Sequence, residues 1–417
     1  MPSRTARSLL AAALFALAGP ACAEVWAVTA RWDEAAEQRF ARWVEERFVP
    51  EFFYEDSPYA GIATDCADAA YGMRIAFAYE HGLPFVIGDP ERPGRTLSQA
   101  TARFDHLPAG LARVRAFMDW IATITSTATL ADDTYPIRID REQVRPGTIV
   151  LAWRAHVVQV VSVREDGVLR YLESTSPRAI RVMTSITGFP HQVPGDPKAR
   201  RHGDGFRRFR WPEHFGAEEA RLPGHGTEQF AQAAALGRDT FAFHDWVRTR
   251  LALVEETPLR RARRQVTTLC KMAWDRAGAI DEARQALAAA RAAGRRCLSA
   301  ADVDAHSTPG RDLTLKRAFE QTAALADRPD WPSVEGRFRH FVEAIAGRTA
   351  PGLASDVGAA LLEWCDVGRV DGGPGRPMDL AELARLATGN RLVGDPHAPP
   401  GQRWGLEPYA RTCAAGR

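Results

Sequence analysis

The apolar residues of this chain change period twice, and that alternation limits the folds open to it. Phe40, Trp43, Val44 and Phe48 recur at helical spacing over residues 33–49, and Pro50 stops the run. A second helix is expected from Cys66 to His81, with Ala69, Ala70, Met73, Phe77 and Ala78 as its buried stripe and Gly82 and Pro84 ending it. A third, over residues 111–124, carries Val114, Phe117, Met118 and Ile121. After Pro136 the period falls to two and β-branched residues dominate. Residues 148–153 and 156–163 read as strands, Asp166-Gly167 as a hairpin turn, and residues 168–174 as the returning strand. Residues 180–183 and 206–211 read as further strands. From Glu218 onward helical patterns return at residues 228–236, 240–251, 260–274, 280–293, 313–326 and 334–346, and Asp379 to Glu382 has the form of a capping box. Helices followed by antiparallel strands define an α+β unit, and an all-α region follows it.

The first 23 residues read as a secretory signal. Arg4 and Arg7 precede an apolar run too short to span a bilayer, and Ala21-Cys22-Ala23 supplies small residues for cleavage. The mature chain is then expected in the periplasm or outside the cell. Lipid attachment at Cys22 is the weaker alternative, because Gly19 stands where a bulky residue is expected. The expected organisation is a signal at 1–23, an α+β domain at 24–216 and a helical domain at 217–417. No later stretch has the length of a membrane span. The formal net charge of +2 falls to about zero without Arg4 and Arg7, and basic residues do not cluster as nucleic-acid binding requires.

Export permits disulfides. Cys270, Cys297, Cys365 and Cys413 all lie in the helical half, and they allow two bridges in any of three pairings. Cys66 is left over, alone in its half. It stands in Thr64-Asp65-Cys66-Ala67-Asp68, where loop becomes helix. Unsatisfied N–H groups and the helix dipole there favour a thiolate and offer donors to an oxyanion. Asp65 and Asp68 can cap the helix, but their charge opposes a thiolate, so a positive partner is needed. His156 is the candidate: it opens the valine-rich run His156-Val157-Val158-Gln159-Val160-Val161 and can accept the thiol proton. Glu173 on the returning strand is the candidate to orient the imidazole. An even-numbered connecting loop puts Glu173 and His156 on one sheet face. A two-residue turn sets Glu173 opposite Val160, and a four-residue loop sets it opposite Val158 with Thr175 opposite His156. Buried cysteines on helices and histidines in strands are commonly structural; here their order along the chain points to chemistry.

Asp65-Cys66-Ala67-Asp68, Pro146-Gly147-Thr148-Ile149-Val150 and His156 to Val161 together resemble the NlpC-type cell-wall endopeptidases and the related CHAP amidases of the papain-like superfamily. The resemblance covers about residues 50–180. It implies a papain-like fold with Cys66 as nucleophile, His156 as base and Glu173 as orienting residue. It further implies substrate contacts near Tyr54 and Asp65, no cofactor or metal, and a peptide or cell-wall amide as substrate. The chain departs from the family pattern where Ala67-Asp68 replaces Ser-Gly, where paired upstream glycines are missing, and where Thr148 replaces Asp. The Cys-to-His interval is also long, which implies a helical insertion over residues 88–135. Related alternatives are an acyltransferase or transglutaminase-like enzyme, and a non-catalytic envelope binding protein or scaffold. No Gly-x-Ser-x-Gly elbow, His-Glu-x-x-His helix, phosphate loop or Cys-x-x-Cys pair is present.

Overall fold

The computed structural model describes residues 24–152, 156–176, 178–188, 204–237, 239–334, 336–348, 365, 378–411 and 413. Residues 1–23, where a signal is expected, lie outside the described residues, and Cys22 with them. The chain is mixed α and β with one main antiparallel sheet. Its first half holds helices α1 (Glu34–Arg47), α2 (Cys66–Glu80), α3 (Leu111–Ile124) and α4 (Thr127–Asp132), with a small ribbon of β1 (Val86–Gly88) and β2 (Thr96–Ser98) between α2 and α3. Strands β3 (Thr134–Pro136), β4 (Ile149–Ala152), β5 (His156–Val163), β6 (Leu169–Glu173), β7 (Thr184–Thr187) and β8 (Gly205–Phe209) follow. They pair in the order β3-β8-β4-β5-β6-β7.

Alternate residues on the central strands feed two cores. Ile149, Leu151, Val157 and Val161 pack with α1, α2 and α3, whereas Val150, Val158, Val160 and Tyr171 pack on the other face. Burial on both faces is why these strands read as unbroken apolar runs. The second face is covered by α5 (Glu228–Ala235) and α6 (Thr240–Leu251), through Ala233, Phe243, Val247 and Leu251. These two helices, grouped by sequence with the C-terminal region, thus share the core of the sheet. A separate helical core joins α7 (Pro258–Ala292), α9 (Pro309–Ala324), α10 (Arg337–Ile345) and α11 (Leu380–Thr388), with α8 (Ala300–His306) and α12 (Pro400–Arg403) at its margins. Helix α7 meets the sheet edge, where Thr268 Oγ1 donates to the Thr187 carbonyl at 2.8 Å. No helix among the described residues is long and apolar enough to cross a membrane.

Helix α2 is the centre of the first core. Every residue from Cys66 to Ala78 is buried, so the helix has no solvent face. Arg74 is matched inside: its guanidinium lies 3.2 Å from the Trp32 ring centroid and 2.5 Å from Glu37 Oε1. Burial opposes the Glu37 carboxylate, but Arg74 beside it holds its pKa below the ordinary value. Trp211 Nε1 donates to the same oxygen at 2.8 Å. Gly72 lets α2 approach the loop before it.

Several expectations need correction. Residues 180–183 form no strand; the edge strand begins at Thr184, and Ile180 and Val182 stay exposed. The helices expected at 260–274 and 280–293 are one continuous α7 that runs through Gly278. The expected helical insertion opens with the β1–β2 ribbon, and the loop expected at 397–404 contains α12. Among the described residues one of the two allowed bridges is seen, Cys297–Cys413. Cys270 and Cys365 lie buried in the helical core, and Cys270 carries no disulfide.

A Cβ at Gly72 would lie 2.7 Å from Phe53 Cζ, a ring that is itself fully buried. Gly72→Ala should therefore lower stability by about 1–2 kcal/mol, the overpacking cost outweighing the helix-propensity gain, read from the urea midpoint. The Cys297–Cys413 bridge spans a sequence separation of 116 residues. Replacing both with serine should cost about 4–5 kcal/mol on the chain-entropy account, measured as a fall in Tm under non-reducing conditions.

Candidate functional site

Cys66 is the first residue of α2, and it is 4% exposed. Asp65 caps the helix: its Oδ1 accepts from the Ala67 amide at 2.9 Å and the Asp68 amide at 3.1 Å, while Asp68 Oδ2 accepts from the Asp65 amide at 3.0 Å. The cap uses two of the first-turn donors that a helix leaves unsatisfied. The Cys66 amide has no protein acceptor among the described residues, so it remains available beside its own sulfur. Gln159 Nε2, on β5, donates to the Cys66 carbonyl at 3.3 Å and fastens the helix end to the sheet.

The loop before Cys66 is held just as firmly. Thr64 exchanges backbone hydrogen bonds with Ala179, and Ser174 Oγ donates to the Thr64 carbonyl at 3.0 Å. Arg178 donates from Nε to the Ala63 carbonyl at 3.0 Å, lies 3.3 Å from Asp68 Oδ2, and reaches Asp119 on α3 at 2.6 Å. Burial pushes the Asp68 carboxyl up to about 6, against the opposing Asp65 amide and Arg178.

His156 opens β5, and its Nε2 is 2.6 Å from Glu173 Oε2. The Cys66 side chain lies near enough to the same ring to favour its charged form. Burial opposes the imidazolium. Glu173 and the Cys66 sulfur outweigh burial and push the His156 pKa up to about 10. Across neutral pH the ring is therefore a cation beside the Glu173 carboxylate.

A β-bulge places Glu173 there. The connection between β5 and β6 has five residues, with Val163 paired to Leu169. That odd count alone would set Glu173 opposite Gln159, on the wrong face for His156. Val161 is left unpaired between Val160 and Ser162, so the register shifts by one and Val160 pairs with Tyr171. Carried forward, this register sets Glu173 opposite Val158 and Thr175 opposite His156.

The structure thus brings Cys66, His156 and Glu173 together, with Asp65 at the helix cap. Tyr54 is set apart: it lies on a turn, 46% exposed, and does not line the cavity beside His156. Thr175 is engaged by Arg311 Nη2 at 3.5 Å rather than by the imidazole. Gln159, Ser174 and Arg178 went unassigned by the sequence reading. Gln159 carried a usable signal, a lone amide inside a run of valines; Ser174 and Arg178 carried none. The cavity has a volume of about 810 Å³ and is walled by β6, residues 174–184, α7 and α9. Among known proteins, the chain matches no family model, no curated protein and no solved structure.

Because the His156 pKa is raised in the fold, the stabilisation from its charged contacts is complete below the ordinary value near 6.5 and fades as pH rises through about 10. Glu173→Gln removes the largest favourable partner, and the imidazole should then titrate nearer 6.5, as followed by NMR of the ring nitrogens.

Proposed function

We propose that this protein is a thiol hydrolase of amide bonds. The observation that carries this reading is the raised, carboxylate-held His156 against Cys66 at a helix N-terminus. The proton of the Cys66 thiol already rests on His156, and the thiolate of this ion pair attacks the carbonyl carbon. The oxyanion lies by the Cys66 amide, which no protein group occupies among the described residues. The imidazolium returns its proton to the leaving amine, the acyl group stays on sulfur, and a water deprotonated by His156 then releases the acid. Glu173 holds the ring in its orientation and stabilises its charge.

A nucleophile helix buried against an antiparallel sheet that carries the base is an arrangement in keeping with a papain-like fold, and it supports the NlpC-type or CHAP-type resemblance. On that reading the sheet and its helices are the catalytic unit, the C-terminal helices an appended one, and the enzyme acts after export on cell-wall peptide or a related envelope amide.

Purified peptidoglycan incubated with the wild type should release peptide fragments, seen by mass spectrometry, that Cys66→Ala does not release. His156→Ala should slow release by about 10²–10⁴-fold, the usual contribution of a general base. Wild-type and Cys66→Ala proteins giving the same products would sink the cell-wall assignment. Iodoacetamide labelling Cys66 no faster in wild type than in His156→Ala would sink the thiol chemistry itself.

A further inference from the structure

The cavity beside His156 and Glu173 carries more apolar surface than proton transfer requires, and part of it comes from a helix outside the sheet. Ile180, Val182 and Trp274 are 52%, 45% and 49% exposed, and all three line this cavity. Singly, exposed apolar residues need no explanation; three converging on one concave space that His156 and Glu173 also line mark a binding surface. Ile180 and Val182 lie on the segment leading from Arg178 into β7. Trp274 lies on α7, where its neighbours Ala273 and Ala277 are fully buried in the helical core. That packing fixes the backbone that presents the indole. Arg276 on the wall is spent on Asp312, and the remaining charged groups balance in sign, Glu173, Asp275 and Glu282 against His156, Arg181 and Arg311.

We infer that Trp274, Ile180 and Val182 form an apolar subsite that receives the side chain of the residue adjoining the amide broken at Cys66. The substrate class is then a peptide or acylated amine with a large aromatic or branched residue at that position. The C-terminal helices supply the indole wall of this subsite, so they select the substrate while the sheet performs the chemistry. The inference rests on the proposed thiol chemistry for its meaning, but the binding it requires can be measured without that chemistry.

The test uses the full-length Cys66→Ala protein, which cannot turn over, and calorimetric titration with two capped tripeptides, acetyl-Gly-Phe-Gly-amide and acetyl-Gly-Ser-Gly-amide. The phenylalanine peptide should bind at least about tenfold tighter, the scale of discrimination by an apolar pocket. Adding Trp274→Ala should bring the two affinities together. Ile180→Ser, on the opposite wall and already half exposed, should do the same without loss of a packed side chain. Equal affinities in the parent, or a preference that survives both substitutions, would overturn the subsite. Alkylation of Cys66 by iodoacetamide in the wild type reports on the thiol separately. A phenylalanine preference with an inert thiol would keep the subsite and reject the chemistry.

Discussion

The buried ion pair between Arg74 and Glu37 is the condition on which the position of Cys66 depends. Helix α2 has no solvent face, yet it carries a guanidinium in its middle. A buried unpaired charge costs several kcal/mol, so the helix can occupy the core only if Arg74 finds a counter-charge there. Glu37 on α1 supplies it, with Trp32 stacked on the guanidinium and Trp211 bonded to the same carboxylate oxygen. Those contacts tie α1, α2 and the segment after β8 into one block, and Cys66 opens the helix so held. The precision of the site comes from this packing as well as from its own hydrogen bonds.

Around Cys66, the polar contacts divide two tasks. Asp65, Asp68, Gln159, Ser174 and Arg178 immobilise the backbone without consuming the sulfur or the Cys66 amide. His156 and Glu173 handle charge. Asp65 and Asp68 stand where a thiolate would feel their repulsion, but Asp65 spends its charge on two amides and Asp68 faces Arg178. The electrostatic balance at the sulfur is then left mainly to the imidazolium.

Strong periodicity made much of the fold legible. The strand at His156–Val163 and the helices at Leu111–Ile124 and Thr240–Leu251 have the bounds their apolar patterns imply. Short elements such as β1, β2 and β3 carry too few residues to show a period. The misplaced strand at residues 180–183 has the right composition, but Ile180 and Val182 face a cavity instead of a neighbouring strand. Cys66 and His156 stood out because each is an odd residue type at the start of an element. Their meeting with Glu173 was only half legible, since register depends on the unpaired Val161, and a bulge leaves no mark in a run of valines. The Cys297–Cys413 disulfide could not be chosen from spacing, because the sequence around the four cysteines does not say which side chains meet.

The place of β8 in the sheet bears on the order of assembly. Strands β4 to β7 pair with chain neighbours, and each hairpin can close soon after its residues are made. Strand β3 touches the sheet only through β8, which lies between β3 and β4. As the chain emerges from its N-terminus, β3 must wait for more than sixty residues, through Gly205–Phe209, before either of its edges is bonded. Such a distant pairing closes slowly. The face that cradles α2 is completed by Phe209 and Trp211, so the surroundings of Cys66 are finished among the last parts of the sheet unit, well after Cys66 itself has been synthesised.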